Sequence, residues 1–215
     1  MKMEDVRGKM EELKRRASTC TDCDLHKTRT QVVFGEGDPS AKIVLVGEGP
    51  GENEDREGRP FVGRAGRLLN EVLKEISLRR EEIWITNVIK CRACEIGGGG
   101  RMRNRPPRAA EVNACRKWLD AELKLIKPSV IVCVGNPAAN LLIHKGFKML
   151  EERGKWFTDS PYAPFIMATL HPAFVLRQHG PAFERSRSQL VEDLMEAKRK
   201  AESTDRRGGA QMTLF

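Results

Sequence analysis

Four short apolar runs, at residues 42–46, 83–88, 129–134 and 165–170, are set apart by stretches far too long to be hairpin turns. Helical signals fill those stretches. Leu68, Leu69, Val72, Leu73 and Ile76 recur at helical spacing, residues 109–126 read as a second helix, and Asn136-Pro137 opens a third as N-cap and first-turn proline. A charged helix is expected at 3–17 and another at about 181–202. Strands joined through helices run parallel. The pattern therefore predicts an α/β fold: a three-layer sandwich whose central four-stranded, mostly parallel sheet carries helices on both faces. In such sheets ligands sit beyond the carboxyl ends of the strands. The unusual residues gather there: Glu48 after the first run, Asn87 at the end of the second, Asn136 after the third and His171 after the fourth. That convergence predicts an active site.

The first of these strand ends is the most distinctive. Ile43-Val44-Leu45-Val46 empties into Gly47-Glu48-Gly49-Pro50-Gly51-Glu52-Asn53-Glu54-Asp55, followed by Gly58-Arg59-Pro60-Phe61-Val62-Gly63. Glycines here let backbone approach a ligand closely. A pyrophosphate would meet Glu52, Glu54, Asp55 and Glu57, and Pro50 lacks the N–H that a phosphate cradle needs. The loop suits a neutral ligand or a developing positive charge.

At 215 residues the chain is read as one domain, 1–203, followed by a flexible tail, 204–215. Lys and Arg number 38 against 30 Asp and Glu, and the pI of about 9.3 suits a polyanionic partner. Aromatics make up only 6%, so any base stacking rests on one or two rings. No apolar run reaches the ~20 residues that span a membrane, and the first residues lack the apolar core of a signal peptide. A cytoplasmic protein without a membrane partner is expected. Six cysteines then read as metal ligands or buried thiols before disulfides. Spacing alone pairs Cys20-x-x-Cys23 with Cys91-x-x-Cys94 as a zinc knuckle, leaving Cys115 as core and Cys133 as a buried thiol in a strand. Residues 92–108 read as a loop with glycines at 97–100 and five arginines (92, 101, 103, 105 and 108), a basic flap for phosphates.

Taken in order, the 47–55 and 58–63 motifs, Thr86-Asn87-Val88-Ile89-Lys90-Cys91, Arg153-Gly154 and His171-Pro172-Ala173 resemble the family 4 uracil-DNA glycosylases, the iron–sulfur branch of that superfamily. The resemblance runs from about Cys20 to Leu194. It implies hydrolysis of the N-glycosidic bond of deoxyuridine in single- or double-stranded DNA, with uracil released and an abasic site left. By the same resemblance Glu48 stabilises the sugar cation or activates water, His171 donates to uracil O2, and Glu54 is a second catalytic acid. Asn87 reads N3–H and O4, Phe61 stacks on the base, and the backbone at Gly49 adds hydrogen bonds. A 4Fe-4S cluster on Cys20, Cys23, Cys91 and Cys115 is implied, with Cys94 a spare. A related branch that traps the abasic sugar has a long basic loop ending in a reactive histidine. Here Arg101-Met102-Arg103-Asn104 has none, which implies a monofunctional enzyme. A nucleoid-associated monomer is expected. The terminal Gln211-Met212-Thr213-Leu214-Phe215 resembles the start of a sliding-clamp binding box that stops short of its second aromatic. The competing functions are a damage sensor without turnover and a zinc-stabilised nucleotide-binding protein.

Overall fold

The computed structural model describes residues 3–210, so the clamp-like segment 211–215 lies outside the described residues. In chain order the elements are α1 (Met3–Ser18), β1 (Glu36–Gly37), β2 (Ile43–Gly47), α2 (Glu52–Glu57), α3 (Arg64–Glu75), β3 (Trp84–Asn87), β4 (Cys94–Ile96) and β5 (Met102–Asn104). There follow α4 (Ala109–Ile126), β6 (Val130–Val134), α5 (Asn136–Leu142), α6 (Met149–Glu152), β7 (Phe165–Thr169), α7 (Pro172–Val175) and α8 (Pro181–Ala210).

The central sheet has five strands in the order β1-β3-β2-β6-β7. The four expected strands are its parallel body, and β1 adds an antiparallel edge to β3 through Glu36↔Ile85 and Gly37↔Trp84. Two residues carry no readable periodicity, which is why this fifth strand has no signature in the sequence. From β2 the chain crosses first to β3 on one side and later to β6 on the other. The order therefore reverses at β2, where α/β sheets place their ligand crevice.

Side-chain parity sorts the core into two layers. Val44, Val46, Trp84, Ile131, Cys133, Ile166 and Ala168 pack on one face with Met10 of α1, Trp118 and Leu119 of α4 and Ala138 of α5. Ile43, Leu45, Ile85, Val130, Val132 and Met167 pack on the other with Leu69 and Val72 of α3, Val175 of α7 and Leu190 and Leu194 of α8. Alternate residues of a strand point to opposite faces, so strands covered on both sides read as continuous apolar runs.

Three details differ from expectation. Residues 92–108 are not an open loop: β4 and β5 pair antiparallel through Cys94↔Asn104, Glu95↔Arg103 and Ile96↔Met102, with the glycines at the tip. α8 continues past the expected end at 202 to Ala210. The cap of α5 is Gly135, at φ +98°, and Asn136 is the first helical residue, exposed and away from the other strand-end residues. No helix among the described residues is long and apolar enough to cross a membrane.

Candidate active site and thiol cavity

Glu48, Gly49, Glu54, Phe61, Asn87 and His171 line one cleft of about 410 Å³ at the carboxyl ends of β2, β3 and β7. A larger hollow of about 740 Å³ lies on the β1 edge, beside Arg7, Glu36 and Arg80, and holds none of them. Register brings the strand ends together. Gly47 pairs with Asn87, and the ladder runs on through Val88 N–H to Gly47 O (2.9 Å) and Ile89 N–H to Glu48 O (3.1 Å). Gly47 must be glycine, because a Cβ there would stand 2.4 Å from Asn87 Oδ1 and 2.6 Å from Phe61 Cζ.

The Glu48 carboxylate makes no hydrogen bond or ion pair among the described residues, and burial raises its pKa above the ordinary carboxylate value. His171 caps α7: its Nδ1 accepts the Ala173 N–H at 3.1 Å. In the neutral ring the proton is thereby fixed on Nε2. Burial, then the charge of Arg177, lowers the His171 pKa to about 4, against a smaller opposing pull from Glu54. The imidazole is neutral at pH 7. Asn87 is buried at 3% exposure, yet its side-chain amide makes no hydrogen bond among the described residues, so a donor and an acceptor face the cleft. Phe61 lies 5.7 Å from the His171 ring, centroid to centroid, with planes inclined 30°.

Phe61 has φ +52°, a left-handed conformation that costs an aromatic residue energy. The surroundings hold it there. Glu54 Oε1 accepts from the N–H groups of Val62 (2.9 Å) and Gly63 (2.7 Å), and Oε2 from Gly51 N–H (3.1 Å). Arg80 donates to the carbonyls of Pro60 and Phe61 while paired with Glu36 and bonded to Asn70. The Glu54 carboxylate is thus spent on three backbone donors. Arg80 carries no motif, and the sequence offered no signal for its role.

A second unpredicted group lies beneath Asn87. Lys90, 1% exposed, donates from Nζ to Glu122 Oε2 (2.5 Å), Thr86 Oγ1 (2.6 Å) and the main-chain carbonyl of Asn87 (2.9 Å). Glu122 also accepts from Gly35 N–H at 3.1 Å and from Thr86 Oγ1. At the cleft mouth Arg92 Nε donates to Asn104 Oδ1 at 2.7 Å, and Asn104, Arg105 and Pro107 line the cleft.

The cysteines divide. Cys20, Cys23, Cys91 and Cys115 line one small cavity with Arg29 and Trp118; Cys94 sits in β4 and Cys133 deep in β6. Arg29 Nη1 donates to Cys91 Sγ at 3.3 Å, and Lys90 N–H to Cys115 Sγ at 3.2 Å. Burial pushes the Cys115 thiol up to about 12. The buried indole N–H of Trp118, on the cavity lining, has no acceptor among the described residues. No three His, Cys, Asp or Glu side chains among the described residues stand close enough to share a single metal ion. Four cysteines on one cavity, with a buried indole N–H beside them, are a donor set that fits an iron–sulfur cluster.

A family model for the uracil DNA glycosylase superfamily matches residues 34–195. The type-4 uracil-DNA glycosylase of Thermotoga maritima is 41% identical over 193 residues, 88% of this chain and 93% of that protein. That of Archaeoglobus fulgidus is 42% identical over 173 residues, 78% of this chain and 83% of the relative. The crystal structure of Pedobacter heparinus SMUG2 resembles the fold with a TM-score of 0.54, over 76% of this chain and 77% of that one, at 13% identity. From the strand-end cleft to these relatives the findings agree: the chain belongs to the uracil DNA glycosylase superfamily, in its type-4 branch.

Proposed function

We propose that this chain hydrolyses the C1′–N1 bond of deoxyuridine in DNA, single- or double-stranded, and releases uracil without forming a covalent adduct. One observation carries the reading: Glu48, Asn87 and His171 come from three strand ends to one cleft, and among the described residues the Glu48 carboxylate and the Asn87 amide have no partner. The extruded nucleotide enters the cleft. Asn87 Oδ1 accepts uracil N3–H and its amide N–H donates to O4, a pattern that cytosine does not match. Phe61 stacks on the base, and the Gly49 backbone lies along its edge. As the bond breaks, its electron pair leaves with uracil, and neutral His171 donates from Nε2 to the charge gathering on O2. The Glu48 carboxylate stabilises the cationic sugar and takes the proton of the water that adds to C1′. Uracil is protonated from solvent. Glu54 acts here as a positioning residue, because its oxygens already hold the backbone on either side of Phe61.

Cys20, Cys23, Cys91 and Cys115 would hold a 4Fe-4S cluster, whose iron–thiolate bonds tie the segment after α1 to the β3–β4 link and to α4. Ionising thiols as buried as Cys115 requires a compensating cation, and the unpaired Trp118 donor suits sulfide. The enzyme acts as a monomer on nucleoid DNA, and residues 211–215 dock on a sliding clamp; truncation at 210 should abolish clamp binding alone. The decisive experiment is incubation with a uracil-containing oligonucleotide followed by alkali. A break at uracil, with none at a guanine:thymine control, is expected; an intact strand from iron-loaded protein overturns the reading.

A further inference from the structure

Of the three strand ends that meet in the cleft, the one before His171 has the least sheet around it. β2 lies between β3 and β6, and β3 between β1 and β2, whereas β7 ends the order and has a ladder on one side only. A donor that must stay within hydrogen-bond reach of a developing charge needs a fixed support. The chain supplies one from Arg153-Gly154, a motif that contributes nothing to the cleft lining. Gly154 N–H donates to Ala168 O at 3.0 Å, and Phe157 exchanges two main-chain hydrogen bonds with Ile166, each 2.8 Å. Residues 154–157 thus run along the outer edge of β7.

From there a relay of side chains reaches the imidazole. Arg153 Nε and Nη2 donate to the two carboxylate oxygens of Asp193 in α8, at 3.0 and 2.8 Å, and Nη2 also donates to Gln189 O at 3.0 Å. Gly154 leaves room for this pair: its φ is +73°, and a Cβ there would stand 2.9 Å from Asp193 Oδ1. Asp193, 4% exposed, accepts from the hydroxyl of Thr169, the fully buried last residue of β7, at 2.7 Å. The Thr169 carbonyl accepts Gly135 N–H at 3.0 Å. Gly135 then lies against the catalytic ring: a Cβ there would stand 3.1 Å from His171 Cβ and 3.3 Å from Cδ2, the ring carbon bonded to Nε2. A buried ion pair adds little net stability over a well-packed apolar replacement, so a geometric role accounts better for this one.

Resting on the glycosylase reading above, we propose that Arg153, Asp193 and Thr169 are positioning residues for His171: they fix the end of β7 and Gly135, and with them the distance from Nε2 to uracil O2. None of the three lines the cleft, so none touches base or sugar. Their loss therefore bears on the chemical step and spares DNA binding. A misplacement of about 1 Å can cost ~10²-fold in rate.

The test uses full-length, iron-loaded protein and two variants at one buried position. Thr169→Val removes the hydroxyl but leaves Asp193 paired with Arg153, and Thr169→Ser keeps the hydroxyl. Thr169→Val should slow single-turnover uracil excision by about tenfold with DNA affinity unchanged, and Thr169→Ser should recover most of that loss. In a His171→Ala background Thr169→Val should cost little more, because residues acting through one another are not additive. A general loosening of the fold would cost the same factor again. A second arm needs no turnover: the nuclear Overhauser contact between the His171 Cδ2 proton and the Gly135 α protons should be present in the wild type and Thr169→Ser and weakened in Thr169→Val. An unchanged rate in Thr169→Val, an equal loss in both backgrounds or an unchanged Overhauser contact overturns the proposal. Failure of the wild type to excise uracil would count against the glycosylase reading instead, and the Overhauser arm would still decide whether Thr169 holds the ring.

Discussion

Lys90 Nζ donates to the main-chain carbonyl of Asn87 at 2.9 Å, so a fully buried cation stands directly beneath the residue that faces the cleft. The same Nζ is paired with Glu122 at 0–1% side-chain exposure, and the Lys90 N–H bonds Cys115 Sγ. One residue thus touches both the cleft floor and the thiol cavity.

Breaking that pair strands a buried charge. Lys90→Met should lower unfolding free energy by about 3–5 kcal/mol, measured by chemical denaturation. Lys90→Met/Glu122→Leu should recover part of this, because no charge is left buried, although Gly35 N–H and the Thr86 hydroxyl lose their acceptor. Excision by the double variant should stay low, since nothing then holds the Asn87 carbonyl. Full activity in the stabilised double variant would remove Lys90 from the positioning of Asn87.

The pH dependence follows from two opposite shifts. Glu48 is needed as a carboxylate and burial raises its pKa, so the single-turnover rate should fall with acid at a pH above the ordinary carboxylate midpoint. His171 remains neutral down to about 4 and adds no limb nearer neutrality. Glu48→Ala and His171→Ala should each slow cleavage by about 10² or more with little change in DNA affinity. Stability carries its own signature. Because the folded His171 pKa lies below its unfolded value of about 6.5, the unfolded state binds more protons between that pH and about 4. The stability present above pH 6.5 is therefore lost as pH falls through this window. His171→Gln should flatten that slope in denaturation midpoints taken at pH 7, 5.5 and 4.5.

Selectivity rests on Asn87. Asn87→Asp exchanges the amide donor facing O4 for an oxygen, so uracil excision should drop and some cytosine should be released. Hydrogen-bonding pockets discriminate strongly because a mismatched partner leaves buried groups unpaired. Base release from uracil- and cytosine-containing oligonucleotides measures both effects, and wild-type uracil release by the variant would place Asn87 outside the recognition set.

What was legible in the sequence is what short-range pattern encodes. Runs such as Ile131-Val132-Cys133-Val134 announce buried parallel strands, and the residues that end them announced Glu48, Asn87 and His171. Asn136 followed the same logic and misled, because strand β6 ends one step before a glycine that turns the chain into α5. Arg80, Lys90 and Glu122 were invisible for a different reason. Arg80 reaches Pro60 across 20 positions, and Lys90 and Glu122 find each other across 32, and a lone charged residue carries no mark of such a partner. The hairpin at 94–104 escaped notice because its strands are three residues each and its glycines read as loop.

The last prediction separates the two cysteine pairings that spacing alone left open. Cys115 of α4 lines the cavity shared with Cys20, Cys23 and Cys91, while Cys94 pairs with Asn104 in the hairpin and lies outside that lining. A four-thiolate site that loses one ligand leaves its iron under-coordinated, and where the site ties three segments together its loss is a loss of fold stability. Cys115→Ser should therefore yield colourless protein with little iron and a lowered melting temperature. Cys94→Ser should keep the brown colour, the iron content and uracil excision. Iron content and visible absorbance of the two purified variants decide the matter, and the reverse outcome would restore the twin Cys-x-x-Cys arrangement.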